Sequence, residues 1–216
     1  MYKLIILIML IVATANSSEY QQCLERIHHS RDSLSNVLNN VTNDSIVKSA
    51  QKLLLRFIDD EIFPYWYYTP WNFYGTTRVP KSGNIACGYF VTTVLQDVGF
   101  DIPRVKWAQL ASEGIIKKFC REIKRFHDRP VSEVIDYIKK KPDAVYVVGL
   151  DCHVGFIVKY QEKIQFVHSN YYHPEIGVMS EYLDTENPLR DSKYRVIGTV
   201  TDSVNVLRWI TKTTVR

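Results

Sequence analysis

Three side chains in this sequence have the types and the order that thiol chemistry needs: Cys87, His153 and His168. Cys87 lies in Gly83-Asn84-Ile85-Ala86-Cys87-Gly88-Tyr89-Phe90-Val91, where a loop delivers it to the start of an apolar helical pattern. At a helix N-terminus the free N–H groups and the helix dipole favour a thiolate, lowering a cysteine from its usual value of about 8.5. The same N–H groups can receive the oxyanion of a tetrahedral intermediate, and Gly88 beside the sulfur leaves room for a substrate. His153 opens the apolar run Val154-Gly155-Phe156-Ile157-Val158, and Phe166-Val167-His168-Ser169-Asn170 ends the next run with polar residues. A hairpin that sets His153 directly opposite His168 points both rings to one face with Cβ atoms about 5 Å apart. One imidazole then orients the other as the third member of a triad, with Asn170 as the alternative for that role. Taken singly, Cys87 reads as a small buried hydrophobe and each histidine as a satisfied polar group; the order of the three is what points to catalysis.

The elements that must position these residues follow from periodicity. Asp44 or Ser45 caps a helix with apolar residues at Ile46, Val47, Ala50, Leu53, Leu54, Phe57, Ile58 and Ile62, and Pro64 is expected to stop it. The polar stretch before it, from Asn16 to about Asn43, reads as a peripheral helix or loose lead-in. An aromatic-rich segment from Tyr65 to Tyr74 is expected to pack around a cleft, and Pro80, Ser82 and Gly83 mark a loop. After the Cys87 helix, which Gly99 ends, helices are expected near Val105–Cys120 and Val131–Lys140, with Pro130 suiting the first position of the latter. Strands are expected at Ala144–Leu150, Val154–Tyr160, Ile164–Val167, Gly177–Met179 and Tyr194–Val200, and a last helix between Asp202 and Thr213. Helices followed by a meander of strands make an α+β domain, arranged as a signal peptide at 1–15, a helical extension at 16–62 and a catalytic domain at 63–216.

The run Pro70-Trp71-Asn72-Phe73-Tyr74-Gly75-Thr76, the loop, Cys87-Gly88 heading a helix, His153-Val154-Gly155-Phe156-Ile157 and Phe166-Val167-His168-Ser169 together resemble the NlpC/P60 peptidases of the papain-like superfamily, over about half of the chain. The resemblance implies a papain-like fold with an antiparallel sheet, a Cys-His-His triad of Cys87, His153 and His168, no cofactor, and hydrolysis of amide bonds in peptidoglycan peptides. Trp71 stands where a tyrosine commonly helps to form the family's oxyanion site, and Tyr74 or Asn84 is the side chain expected to assist the Cys87 N–H there.

Lys3, the apolar run Leu4–Val12 and Ala13-Thr14-Ala15 have the order of a secretory signal, too short to span a bilayer, so the mature chain is expected to be secreted or periplasmic with no stable membrane insertion. Lys and Arg total 27 against 23 Asp and Glu; so small and scattered an excess does not point to nucleic acid. Four cysteines form no disulfide framework, and without a CxxC pair or an HExxH motif no metal is expected. Two other functions share these features: a protein-directed amidase or transglutaminase-like enzyme with the same Cys-His geometry, and a wall- or glycan-binding module on an inactive hydrolase scaffold, with the aromatics from Trp66 to Tyr74 as its platform.

Overall fold

The computed structural model describes residues 2–38 and 44–215, and side chains from Ser18 onward. The side chains of the apolar leader expected at 1–15 therefore lie outside the described residues, as does the end of the expected lead-in, residues 39–43. No helix among the described residues is long and apolar enough to cross a membrane.

The chain is α+β. Six strands, β1 (Ile123–His127), β2 (Ala144–Leu150), β3 (Val154–Tyr160), β4 (Lys163–Ser169), β5 (Val178–Glu181) and β6 (Tyr194–Thr199), form one open sheet in the order β1-β6-β2-β3-β4-β5. Every neighbouring pair is antiparallel. Val147, Val154, Phe156 and Val167 face one core with the N-terminal helices, while Tyr146, Val148, Ile157 and Phe166 face a second core with Val134 and Ile138 of α7 (Val131–Lys139). Because both faces are covered, β2 is buried along its whole length, which is why it reads as an unbroken apolar run rather than an alternating one.

Three expectations about the helices are corrected. The lead-in is a helix, as one of its two readings had it, but it is not peripheral: α1 (Tyr2–Leu38) buries Tyr20, Cys23 and Ile27 in the main core, and Tyr20 Oη donates to Asp97 at 2.6 Å while accepting from Trp66 Nε1 at 2.9 Å. Pro64 does not stop the second helix. After α2 (Asp44–Arg56) the chain passes through a π-helical turn, Phe57–Ile62, into α3 (Phe63–Trp66). The Phe63 N–H bonds to Ile58 O, and the wider turn accommodates the proline that an α-helix would not. The stretch expected as one helix near Val105–Cys120 is two, α5 (Arg104–Ala108) and α6 (Ser112–Phe119).

The region that carries Cys87, His153 and His168 rests on α4 (Cys87–Asp97) and the hairpin β3–β4. Gly88 packs α4 so closely on α5 that a side-chain carbon there would overlap the Ala108 carbonyl. The hairpin turn is two residues, Gln161 and Glu162, at φ 50° and 65°, the left-handed pair of a tight hairpin. It pairs Tyr160 with Lys163 and Phe156 with Val167, a register two positions away from the one that sets His153 directly opposite His168. A displacement of two keeps the facing of every side chain, because the strand period is two.

Candidate active site

Cys87 is the first residue of α4, with extended Ala86 before it. Its loop is fastened on both sides: Ile85 N donates to Pro70 O, Ala86 N to Gly75 O, both at 2.9 Å, and buried Ser169 Oγ, at the end of β4, donates to Ile85 O at 2.7 Å. The backbone N–H groups of Val154, Gly88 and Cys87 itself point at the sulfur and favour its anion, yet burial outweighs them and raises the thiol above its ordinary value. The depressed pKa expected of a helix-start cysteine is thus overridden by desolvation, and the resting group is a thiol.

His153 stands one residue before β3, in the turn that joins it to β2. That turn is closed by Leu150 N donating to His153 O at 2.8 Å. The Asp151 carboxylate anchors it by accepting from Lys193 N at 2.8 Å and Tyr194 N at 3.1 Å. His153 is 2 % exposed. Its Nε2 lies 2.9 Å from His168 Nδ1, so the two rings meet along the diagonal that the register leaves open. Gly155 makes this possible: a Cβ there would lie 2.8 Å from His168 Cβ and 2.7 Å from a Phe166 ring carbon. Asn170 takes no part, since its amide contacts Met179 Sδ and its carbonyl accepts from Tyr172 N.

The chain of bonds does not end at His168. Its Nε2 is 2.7 Å from Glu181 Oε1, a residue of β5, and Thr185 Oγ1 donates to Glu181 Oε2 at 3.1 Å. Glu181 was not anticipated from sequence. Burial pushes His168 down to about 3 and His153 well below its ordinary value, with His168 adding to the shift. The Glu181 carboxylate beside His168 opposes that shift, but two buried imidazoles share this one carboxylate, and we take both as neutral. Burial raises the Glu181 carboxyl above its ordinary value; as the ionised form it only accepts hydrogen bonds, and His168 then carries its proton on Nε2 and offers a lone pair at Nδ1. His153 must then carry its proton on Nε2, and its Nδ1 is left as a bare lone pair. That Nδ1 is buried and makes no hydrogen bond among the described residues; the Cys87 thiol and the His153 ring are therefore not bonded to each other in the resting site.

Both groups open on one cleft of about 810 Å³, lined by Trp71, Phe73, Tyr74, Thr76, Ala86, Cys87, Gly88, Tyr89, Ala108, Gln109, Leu110, Cys152, His153 and Tyr171. The aromatic segment divides as expected of cleft packing: Trp66 is buried, whereas Phe73 and Tyr74 stand exposed on the rim. Of the expected oxyanion groups, Trp71 and Tyr74 line the cleft and Asn84 does not. Trp71 Nε1 is buried without a hydrogen-bond partner among the described residues, an unused donor. All four cysteines are free, and no His, Cys, Asp and Glu cluster able to hold a metal occurs among the described residues. Comparison with protein families, curated proteins and solved structures finds no match for the chain.

Proposed function

We propose that the chain is an exported cysteine hydrolase of papain-like, NlpC/P60-like type that cleaves an amide bond, with cell-wall peptides as the leading substrate class. The observation that carries this reading is the unpartnered Nδ1 of His153, buried at the end of a His153–His168–Glu181 chain, on a residue that lines the same cleft as Cys87. A buried nitrogen left without a partner costs about 1–3 kcal/mol, and such unsatisfied groups accumulate where chemistry uses them.

The reaction runs as follows. The substrate carbonyl enters the cleft, Cys87 Sγ attacks its carbon, and the thiol proton passes to His153 Nδ1. The positive charge that forms there is held by the Glu181 carboxylate through His168. The oxyanion is received by the Cys87 N–H at the head of α4 and by Trp71 Nε1–H. His153 returns the proton to the leaving nitrogen, the C–N bond breaks, and a Cys87 thioester remains. Water, deprotonated by His153, then releases the acid and restores the thiol.

The test is direct. Exposure to an activated acyl ester, p-nitrophenyl hexanoate, should add one acyl group to Cys87, found by intact-mass measurement and peptide mapping, and the adduct should decay by hydrolysis. Acylation confined to exposed Cys152, or unaffected by Cys87→Ala, overturns the proposal. The exposed Phe73 and Tyr74 favour one second reading, a wall- or glycan-binding module, which requires binding but no thioester.

A further inference from the structure

We infer that the cleft beside Cys87 is built for an uncharged, apolar or aromatic acyl group and rejects substrates whose acyl side carries a carboxylate or an ammonium near the reacting carbonyl. This rests on the reading of Cys87 as an acylated nucleophile and narrows its substrate class.

Cys87 and His153 stand among Trp71, Phe73, Tyr74, Tyr89, Leu110 and Tyr171, and no Asp, Glu, Lys or Arg belongs to the lining. Charged side chains that contact or adjoin the site are tied to other partners. Arg104 lies behind Tyr89, its guanidinium carbon 4.9 Å from the ring centre. Its donors go to Thr93 Oγ1 at 2.7 Å, Thr76 O at 3.0 Å and Thr77 O at 2.9 Å. Asp151, beside Cys152, gives both carboxylate oxygens to backbone N–H groups. Glu181 is capped by His168 and Thr185. A charged group entering with the acyl chain would lose its water and meet no counter-ion, a cost paired charges avoid and lone ones do not. At about 810 Å³ the cleft is large enough for a chain or ring beyond the carbonyl itself. In peptide terms, the residue that donates the carbonyl bears an uncharged side chain; an acidic residue with a free carboxylate at that position is excluded. Recognition comes from aromatic faces and apolar area, and only the carbonyl oxygen is matched by directed donors.

The experiment compares the rate of Cys87 acylation by three p-nitrophenyl esters of similar length: hexanoate, the glutarate half-ester with its free carboxylate, and hexanoate ending in trimethylammonium. Each rate is divided by that of the same ester with free N-acetylcysteine, which removes intrinsic reactivity. Hexanoate should lead both charged esters by about tenfold or more, the equivalent of about 1.4 kcal/mol. Leu110→Lys, which places a cation on the cleft wall, should raise the glutarate rate relative to hexanoate and leave the trimethylammonium ester slow. Equal corrected rates, or a charged ester in the lead, overturn this inference while Cys87 acylation still stands. Absence of acylation at Cys87 by all three overturns the hydrolase reading and the inference with it. Should Leu110→Lys fold poorly, Gln109→Lys at the exposed neighbouring position carries the same expectation.

Discussion

Replacing Glu181 by Gln isolates the group that sets the proton positions in the whole chain. The carboxylate only accepts, so His168 Nε2 holds a hydrogen, His168 Nδ1 accepts from His153 Nε2, and His153 Nδ1 is free to act as base. A glutamine can still accept from His168 but can equally turn its amide and donate, which reverses both tautomers and puts a hydrogen on His153 Nδ1. It also removes the negative charge that steadies a protonated His153. A hydrogen bond to a charged group contributes about 1.5–3 kcal/mol, so if that contribution is realised in the transition state, acylation of Cys87 slows about ten- to hundredfold. Shape is nearly unchanged and the Thr185 contact is retained, so the thermal midpoint should move little. The assay is the acylation rate with p-nitrophenyl hexanoate near pH 7.5, alongside long-range proton–nitrogen correlation spectra of the histidine rings. The wild-type spectra should show both His153 and His168 protonated at Nε2. An E181Q rate within twofold of wild type, or a wild-type His153 protonated at Nδ1, refutes the reasoning.

Further expectations concern the same chain and its support. Gly155→Ala places a carbon 2.8 Å from His168 Cβ and 3.0 Å from Val167 O; it should cost about 1–3 kcal/mol in urea unfolding and slow acylation by displacing His168. His168→Ala strands the His153 Nε2–H and should slow acylation less than Cys87→Ala abolishes it, with unfolding cooperativity kept; an unchanged rate removes His168 from the machinery. Asp97 is raised by burial from 3.8 to about 6, so between those values the folded chain holds a proton that the unfolded chain releases. Stability from this group therefore falls as pH rises through that window, by about 3 kcal/mol when complete. The stability of Asp97→Asn relative to wild type should accordingly grow between about pH 4 and about pH 7, and a difference independent of pH contradicts it.

Much of the site's frame was legible in sequence because it depends on local rules. The loop that ends at Ala86 and the apolar spacing after Cys87 specify α4, and the β-branched runs specify β3 and β4. What escaped depends on tertiary contact. The register turns on a Gln161–Glu162 turn with positive φ at both residues, without the Gly or Asn that signals such a turn. Glu181 becomes part of the site only once β5 pairs with β4, where His168 faces Met179 and Phe166 faces Glu181; no short-range pattern marks it. β1 (Ile123–His127) escaped as well, since Lys124 and Arg125 are exposed on an edge strand in which only Phe126 is buried. The raised Cys87 thiol escaped for a related reason: the helix dipole is written locally, whereas the burial that overcomes it is not.

The most direct test of the central claim is the rate at which iodoacetamide alkylates Cys87 near pH 7 in wild type and in His153→Ala, resolved from Cys152 by peptide mapping. Because burial holds Cys87 as a thiol, its reactivity should depend on the lone pair at His153 Nδ1. The variant should react at least about tenfold more slowly, while His127→Ala, whose ring is exposed and bound to Asp128, should match wild type. Cys87 alkylation as fast in a folded His153→Ala protein as in wild type would contradict the account.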